Sequence, residues 1–425
     1  MVVMRNYNSL SEADLRTLLG QLETEYARWQ ARGLKLDMSR GKPAPSQLDL
    51  SDGLLEAMTD FHAADGTDCR NYGVLAGLPE MRRLFAELLG LDPELIVAAG
   101  NSSLNLMYDV ISQLMVFGIG GATPWGKAGK LKFLCPVPGY DRHFRITQDF
   151  GFELIPVALR SEGPDMDEVE KIVAADPSVK GIWCVPLYAN PSGVCYSGET
   201  VRRLGAMKCA APDFRIFWDN AYGVHHLYEP VPLADIFAAC AAGGNPNRAF
   251  YFFSTSKITY PGAGVAMLAA GPDDFKEILR RLGSAIISYD KMNQLRTIRF
   301  LGDAEGVRRL MKKHAEELRP KFEIVAGTLA EELGGAGIGE WTDPKGGYFV
   351  SFDTLPGCAK ATVALAAGAG VKMTGAGATW PLGVDPEDRN IRIAPTYPTV
   401  SELGTAMKLF TLCVKLAAVR KLLAK

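Results

Sequence analysis

Between about residues 80 and 270 the chain alternates short, almost unbroken apolar runs with longer stretches of helical period. That alternation is the pattern of a parallel sheet flanked by helices, because strands buried on both faces need apolar side chains at every position. The runs at 95–99, 131–135, 152–158, 181–187, 214–218 and 249–253 are the predicted strands. Segments 104–116, 166–175 and 199–206 are predicted helices between them. From 275 to 330 the text turns charged and helical and predicts a long connecting helix. Two later apolar runs, YFVSFD at 348–353 and NIRIAP at 390–395, enclose an Ala-rich helical segment and read as a smaller α+β unit.

At 425 residues the chain is too long for one ordinary core. The expected fold is α/β, a large domain with a mostly parallel sheet flanked by helices plus a smaller α+β domain. Residues 1–50 are expected to pack with the small domain, 51–300 to form the large one and 301–425 the small one. A hydrophobic fraction of 48% with 22% charged residues is that of a globular chain. A formal charge of −2 offers no broad basic field for nucleic acid or an anionic membrane. The apolar stretch 104–121 is interrupted by Asn105, Asp109, Ser112 and Gln113, so it does not read as a membrane span. The N-terminal residues carry no apolar signal core, and a cytoplasmic location is expected. Eight cysteines contain no C-x-x-C pair and read as reduced packing residues; His225 and His226, the one close histidine pair, lack a zinc-ligand spacing, so no metal is expected.

Chemistry is expected at the carboxyl ends of the parallel strands, where ligands of open α/β sheets sit. The run at 95–99 leads into Gly100, Asn101, Ser102 and Ser103 and then a helix, which makes either an anion cup or an ordinary serine cap. After 181–187 comes the turn Tyr188-Ala189-Asn190-Pro191-Ser192-Gly193, after 214–218 come Asp219 and Tyr222, and after 249–253 come Ser254, Thr255, Ser256 and Lys257. Most lysines are solvated surface charges. One placed at the mouth of a sheet is desolvated, its pKa falls, and its amine becomes a nucleophile toward carbonyls.

Taken in order, N-P-S-G, D-x-x-Y, S-x-S-K and N-I-R-I-A-P resemble the class I aminotransferases of pyridoxal-phosphate fold type I, the aspartate aminotransferase group. The match runs from SRGKP at 39–43 to RIAPTYP at 392–398, and the phrases YGVLAGLPEMR at 72–82 and CPVPGYDRHF at 135–144 resemble a bacterial branch of that group. The resemblance implies that Lys257 carries pyridoxal 5′-phosphate as a Schiff base and shuttles the proton. It implies that Asp219 pairs with the pyridine nitrogen, that Asn190 and Tyr222 bind the phenolic oxygen, and that Tyr140 stacks on the ring. Ser102, Ser103, Ser254 and Ser256 would hold the phosphate, and Tyr72 would reach the phosphate of a neighbouring subunit in a homodimer with shared active sites. Arg392 would clamp the substrate α-carboxylate, with Gly41 backbone close to it. The substrates implied are an L-amino acid, foremost aspartate, and 2-oxoglutarate.

One departure stands out. The family places a phosphate-binding arginine seven to nine residues after the lysine, and 258–266 contains none. Lys291 or Arg299 could replace it, or hydroxyls and a helix terminus could suffice. For a second substrate carboxylate, Arg40, Lys42, Arg142, Arg145 and Arg296 are all open. A lyase or synthase of the same fold would share the same residues. A dehydrogenase would need a glycine-rich turn between strand and helix, and Gly118–Thr123 lacks the last glycine and follows a helical stretch. A sensor domain of a transcription regulator would need a basic DNA-binding module, which the first 40 residues do not supply.

Overall fold

The computed structural model describes residues 6–424. Its main sheet has eight strands: β2 (Ile96–Ala98), β3 (Lys132–Val137), β4 (Glu153–Arg160), β5 (Gly163–Pro164), β6 (Val179–Cys184), β7 (Arg215–Asp219), β8 (Ala249–Ser254) and β9 (Ala266–Ala270). They lie in the order β2-β9-β8-β7-β6-β3-β4-β5. The pairs β3·β4, β3·β6, β6·β7 and β7·β8 are parallel, whereas β9 runs antiparallel to both β8 and β2. The expected mostly parallel sheet flanked by helices is therefore present, with all six predicted runs in it. The antiparallel β9 and the short β5 were not expected.

Strand alternation shows why these runs are apolar throughout. Ile216 and Trp218 of β7 face one core, together with Tyr251 and Phe253 of β8, while Phe217, Phe250 and Phe252 face the other. Both faces are covered, so neither side of the pleat can be polar. Phe217 packs edge-on against Phe250 of the neighbouring β8 and Phe133 of β3, two strands away, at 5.5 and 5.4 Å.

A second core lies at the C-terminal part of the chain. There β10 (Gly339–Trp341), β11 (Val350–Thr354) and β13 (Asn390–Ile393) form an antiparallel sheet, and β1 (Leu36–Asp37) pairs in parallel with β12 (Val371–Lys372). The helices Glu12–Gln30 and Val400–Leu423 share this core, through Leu15 and Leu22 on the first and Leu403, Phe410 and Val414 on the second. The N-terminal segment thus contributes to the same apolar interior as the C-terminal residues.

The expected long helix over 275–330 is three helices, Pro272–Ala285, Lys291–Leu301 and Ala304–Leu333. The breaks have local causes: the Asp290 side chain caps the second helix by accepting from Asn293 N, and Asp303 caps the third by accepting from Gly306 N. Gly302 between them takes a φ of 76°, which a residue with a Cβ resists. No helix among the described residues is long and apolar enough to cross a membrane.

Two buried ion pairs lock the sheet to its surroundings. Arg215 at the start of β7 donates to both oxygens of Asp274 at 2.6 and 3.1 Å, and Lys180 donates to Asp213 at 2.6 Å, whose other oxygen accepts from Trp125 Nε1 at 2.8 Å. Breaking such a pair leaves a buried charge alone. Asp274→Ala is therefore expected to lower stability by about 3–5 kcal/mol, read from urea unfolding midpoints. A loss below about 1 kcal/mol would mean that Arg215 finds water or another anion.

Candidate active site

The parallel strands β6, β7 and β8 end side by side, and their following loops converge on a cleft of about 160 Å³ lined by Ser103, Tyr140, Asn190, Asp219, Tyr222 and Lys257, with Gly41 and Phe349 at its rim. A larger hollow of about 810 Å³ opens between the helix Ala304–Leu333 and residues 223–230. Size does not choose between them; only the smaller cleft sets an amine beside a buried carboxylate.

Asp219 ends β7 and is 4% exposed. Its Oδ2 lies 2.9 Å from His143 Nε2, while its Oδ1 is buried with no hydrogen-bond partner. His143 is itself held by stacking on Trp183, with ring centres 4.4 Å apart and planes within 10°. Lys257 follows β8 directly. The residue keeps some exposure, but its ammonium is enclosed, 5.0 Å from the Tyr222 ring and 6.0 Å from the Tyr348 ring. Desolvation pulls its pKa below the ordinary lysine value, and the charge of Asp219 opposes that fall. Burial pushes the Tyr140 hydroxyl up to about 12, with Asp141 and Asp219 adding to the rise, and it raises Tyr222 well above its ordinary value.

The loop ends 101–103 and 254–256 also meet. Ser256 Oγ donates to Asn101 O at 3.0 Å, Ser254 Oγ accepts from Ser256 N at 3.4 Å, and Ser102 caps the helix Ser103–Phe117 by accepting from Asn105 N at 3.3 Å. This is a cluster of hydroxyls at the N-terminus of a 15-residue helix, where backbone N–H groups favour an anion.

Arg392 on β13 reaches two residues that line this cleft, Phe349 and Asn190. Its guanidinium lies 4.9 Å over the Phe349 ring and its Nη1 is 3.4 Å from Asn190 Oδ1. Gly41 packs on that same ring so closely that a Cβ would collide with it, which explains a glycine there.

Some candidates lie elsewhere. Tyr72 is 78% exposed and does not line this cleft. Lys291, offered as a stand-in for the missing arginine, donates to the carbonyls of Asn71 and Gly73 at 2.6 and 3.0 Å, and Arg299 donates to Asp60 at 2.7 Å. Both cations are thus committed to holding the 59–73 segment. Of the cations considered for a second carboxylate, Arg145 pairs with Asp149, Arg296 donates to Asn293, and Lys42 sits 4.0 Å over the Tyr397 ring. Arg142 is exposed, yet close enough that its charge bears on the Tyr140 hydroxyl.

Two residues of the site were not singled out from the sequence, although both stand in CPVPGYDRHF. His143 lies three positions after Tyr140, one helical turn on, and Asp141 contacts Arg392 at 3.1 Å. Helical spacing sets His143 one turn from Tyr140, but nothing in the sequence ties it to Asp219.

The family model described as "Aspartate amino-transferase" matches residues 10–425. The chain belongs to the aspartate aminotransferase family. A Mycolicibacterium smegmatis protein provisionally named an aminotransferase is 51% identical, covering 98% of this chain and 99% of its own length. A Corynebacterium glutamicum aspartate aminotransferase is 46% identical over the same shares of the two chains. The crystal structure of an aspartate transaminase from C. glutamicum superposes with a TM-score of 0.96 at 45% identity, covering 98% of this chain and 99% of that one. As a member of this family the enzyme is a transaminase.

Aminotransferases of this family generally depend on pyridoxal phosphate, and the cleft can be tested against that group. The unpartnered, buried Asp219 Oδ1 suits a cationic ring N–H, the enclosed Lys257 amine suits an aldehyde, and the hydroxyl cluster at the helix terminus suits a phosphate. The residues present fit.

A buried relay ties the cleft to the N-terminal segment. His314 Nε2 donates to Ile258 O at 2.9 Å and its Nδ1 accepts from Gln47 Nε2 at 3.1 Å, while Gln47 Oε1 accepts from Ala44 N at 3.1 Å. Burial holds His314 and, more strongly, His225 below the ordinary histidine pKa. The unfolded chain therefore binds more protons once the pH falls under about 6.5, so stability is present above that value and declines below it. Melting temperatures measured from pH 7.5 down to 5.5 should fall, and His314→Gln should flatten that slope. An unchanged slope in the variant would assign the acid sensitivity to His225 or to other groups.

Proposed function

We propose that the enzyme transfers the amino group of an L-amino acid, foremost aspartate, to 2-oxoglutarate, using pyridoxal 5′-phosphate bound at Lys257. The observation that carries this reading is the desolvated Lys257 amine set in one closed cleft with a buried Asp219 carboxylate that has one oxygen free.

When bound, the cofactor supplies an electron sink conjugated to the substrate Cα. Asp219, kept in place by His143, would hold the ring nitrogen protonated through its free Oδ1. Asn190 and Tyr222 would donate to the phenolic oxygen, and Tyr140 would cover the ring. Ser102, Ser103, Ser254 and Ser256, with the helix terminus, would hold the phosphate. Arg392, positioned by Phe349 and Asn190, would bind the substrate α-carboxylate beside Gly41. Once released from the cofactor, the Lys257 amine is the base that takes the proton from Cα and returns it on the other side of the reaction. Its lowered pKa keeps more of it neutral than an exposed lysine would be, which that step requires.

The exposed Tyr72, on a loop clamped by Lys291, supports a homodimer in which each subunit lends a tyrosine to its partner's phosphate site. The choice of aspartate rests on the names of the relatives.

The test is an absorption spectrum of the purified enzyme with L-aspartate alone and then with 2-oxoglutarate. The cofactor band should move with the amino acid and return with the oxo acid. Lys257→Ala should lose the cycle and lower turnover by at least about 100-fold. A band that ignores aspartate but answers another amino acid would overturn the substrate and keep the transaminase; no band after adding pyridoxal phosphate would overturn the cofactor assignment.

A further inference from the structure

The guanidinium assigned above to the substrate carboxylate already has an anion on it. Arg392 is 9% exposed, and its Nη1 donates to Asp141 Oδ1 at 3.1 Å. The rest of the group is weakly engaged: Nη1 reaches Asn190 Oδ1 at 3.4 Å, Nη2 reaches Thr374 Oγ1 at 3.5 Å, and Nε is buried with no partner. A planar guanidinium binds a carboxylate best through two parallel N–H bonds. Asp141 uses one of its oxygens on one nitrogen, so the pairing is incomplete and two nitrogens remain for a better-fitting carboxylate.

Asp141 is also free to yield. Its side chain is 38% exposed, and it is the first residue of the helix Asp141–Asp149, where the helix terminus accommodates a negative charge whether or not Arg392 is in contact. It directly follows Tyr140, which lines the cleft, so its charge stands at the wall of the substrate site.

We propose that Asp141 is a resident competitor for Arg392. In the empty site it neutralises and aims the guanidinium. An incoming substrate carboxylate takes the two-pronged place, and Asp141 turns outward to solvent. On release it returns to Arg392, so the departing product does not leave a bare buried cation. Asp141 thereby sets the affinity for every carboxylate that uses this site, on both halves of the reaction. This rests on the reading of Arg392 as the α-carboxylate site.

The probe is succinate, a dicarboxylate with no amino or oxo group to react, titrated by calorimetry into the purified enzyme carrying its cofactor. Asp141→Asn removes the charge at constant size, and Asp141→Ser removes the contact as well. Removal of the anion that competes for the guanidinium, a contact partly screened by its exposure, is expected to tighten succinate about tenfold in both variants. In the Arg392→Gln background the same change should have no effect, which a merely structural role for Asp141 would not produce. Melting temperatures identify a variant that has not folded, and the second variant then decides. If wild-type binding needs Arg392 but neither Asp141 variant tightens it, the competitor role is overturned and the carboxylate site stands. If Arg392→Gln binds succinate as well as wild type does, the carboxylate site itself is misplaced and the proposal falls with it.

Discussion

Asp219 is the constraint on which the centre of this enzyme depends. A carboxylate that is 4% exposed is costly unless its oxygens are used, and here one oxygen faces His143 while the other is left free. His143 can serve only because Trp183 holds its ring by stacking, and Trp183 sits on β6, the strand next to β7. The sheet therefore fixes both the acid and the wall that orients its partner. Lys257, one strand further along, feels the same carboxylate as the charge opposing its desolvation.

Much of this was legible in the sequence because parallel strands buried on both faces leave long apolar runs, and polar residues at their ends then stand out. β3, β6, β7 and β8 were visible for that reason. β9 was not: AMLAA between Gly264 and Gly271 is short and mostly alanine, so its strand character comes from pairing with β8 and β2 rather than from its own residues. The single helix read over 275–330 failed for the opposite cause. Helical period continues across both breaks, and only the capping aspartates 290 and 303 and the helix-ending Gly302 mark them locally.

At the site, residues that follow strands directly were readable, and those whose role is a contact across the fold were not. His143 meets Asp219 over 76 positions of sequence, and Asp141 meets Arg392 over 251. No spacing rule reaches that far. The missing arginine shows the converse: its absence was plain in 258–266, but only the structure shows that Lys291 and Arg299 are committed to the 59–73 segment. An anion at Ser102, Ser103, Ser254 and Ser256 would then depend on hydroxyls and a helix terminus, which bind by geometry more than by net charge.

The packing beneath this cleft is polar as well as apolar. Gln47, 0% exposed, bonds at once to His314 on the long helix and to the Tyr348 hydroxyl beside β11, while His314 holds the carbonyl of Ile258, the residue after Lys257. Because the Gln47 carbonyl already accepts from Ala44 N, its amide orientation is set, and with it the neutral tautomer that His314 must adopt. Four segments distant in sequence are thus held in register at the base of Lys257. A packed apolar contact could supply the same adhesion, but it would tolerate sliding; a chain of directional bonds with one allowed protonation pattern does not. That difference matters to the proposed reaction, in which a substrate held by Arg392 would have to be delivered to Lys257 within hydrogen-bonding tolerance.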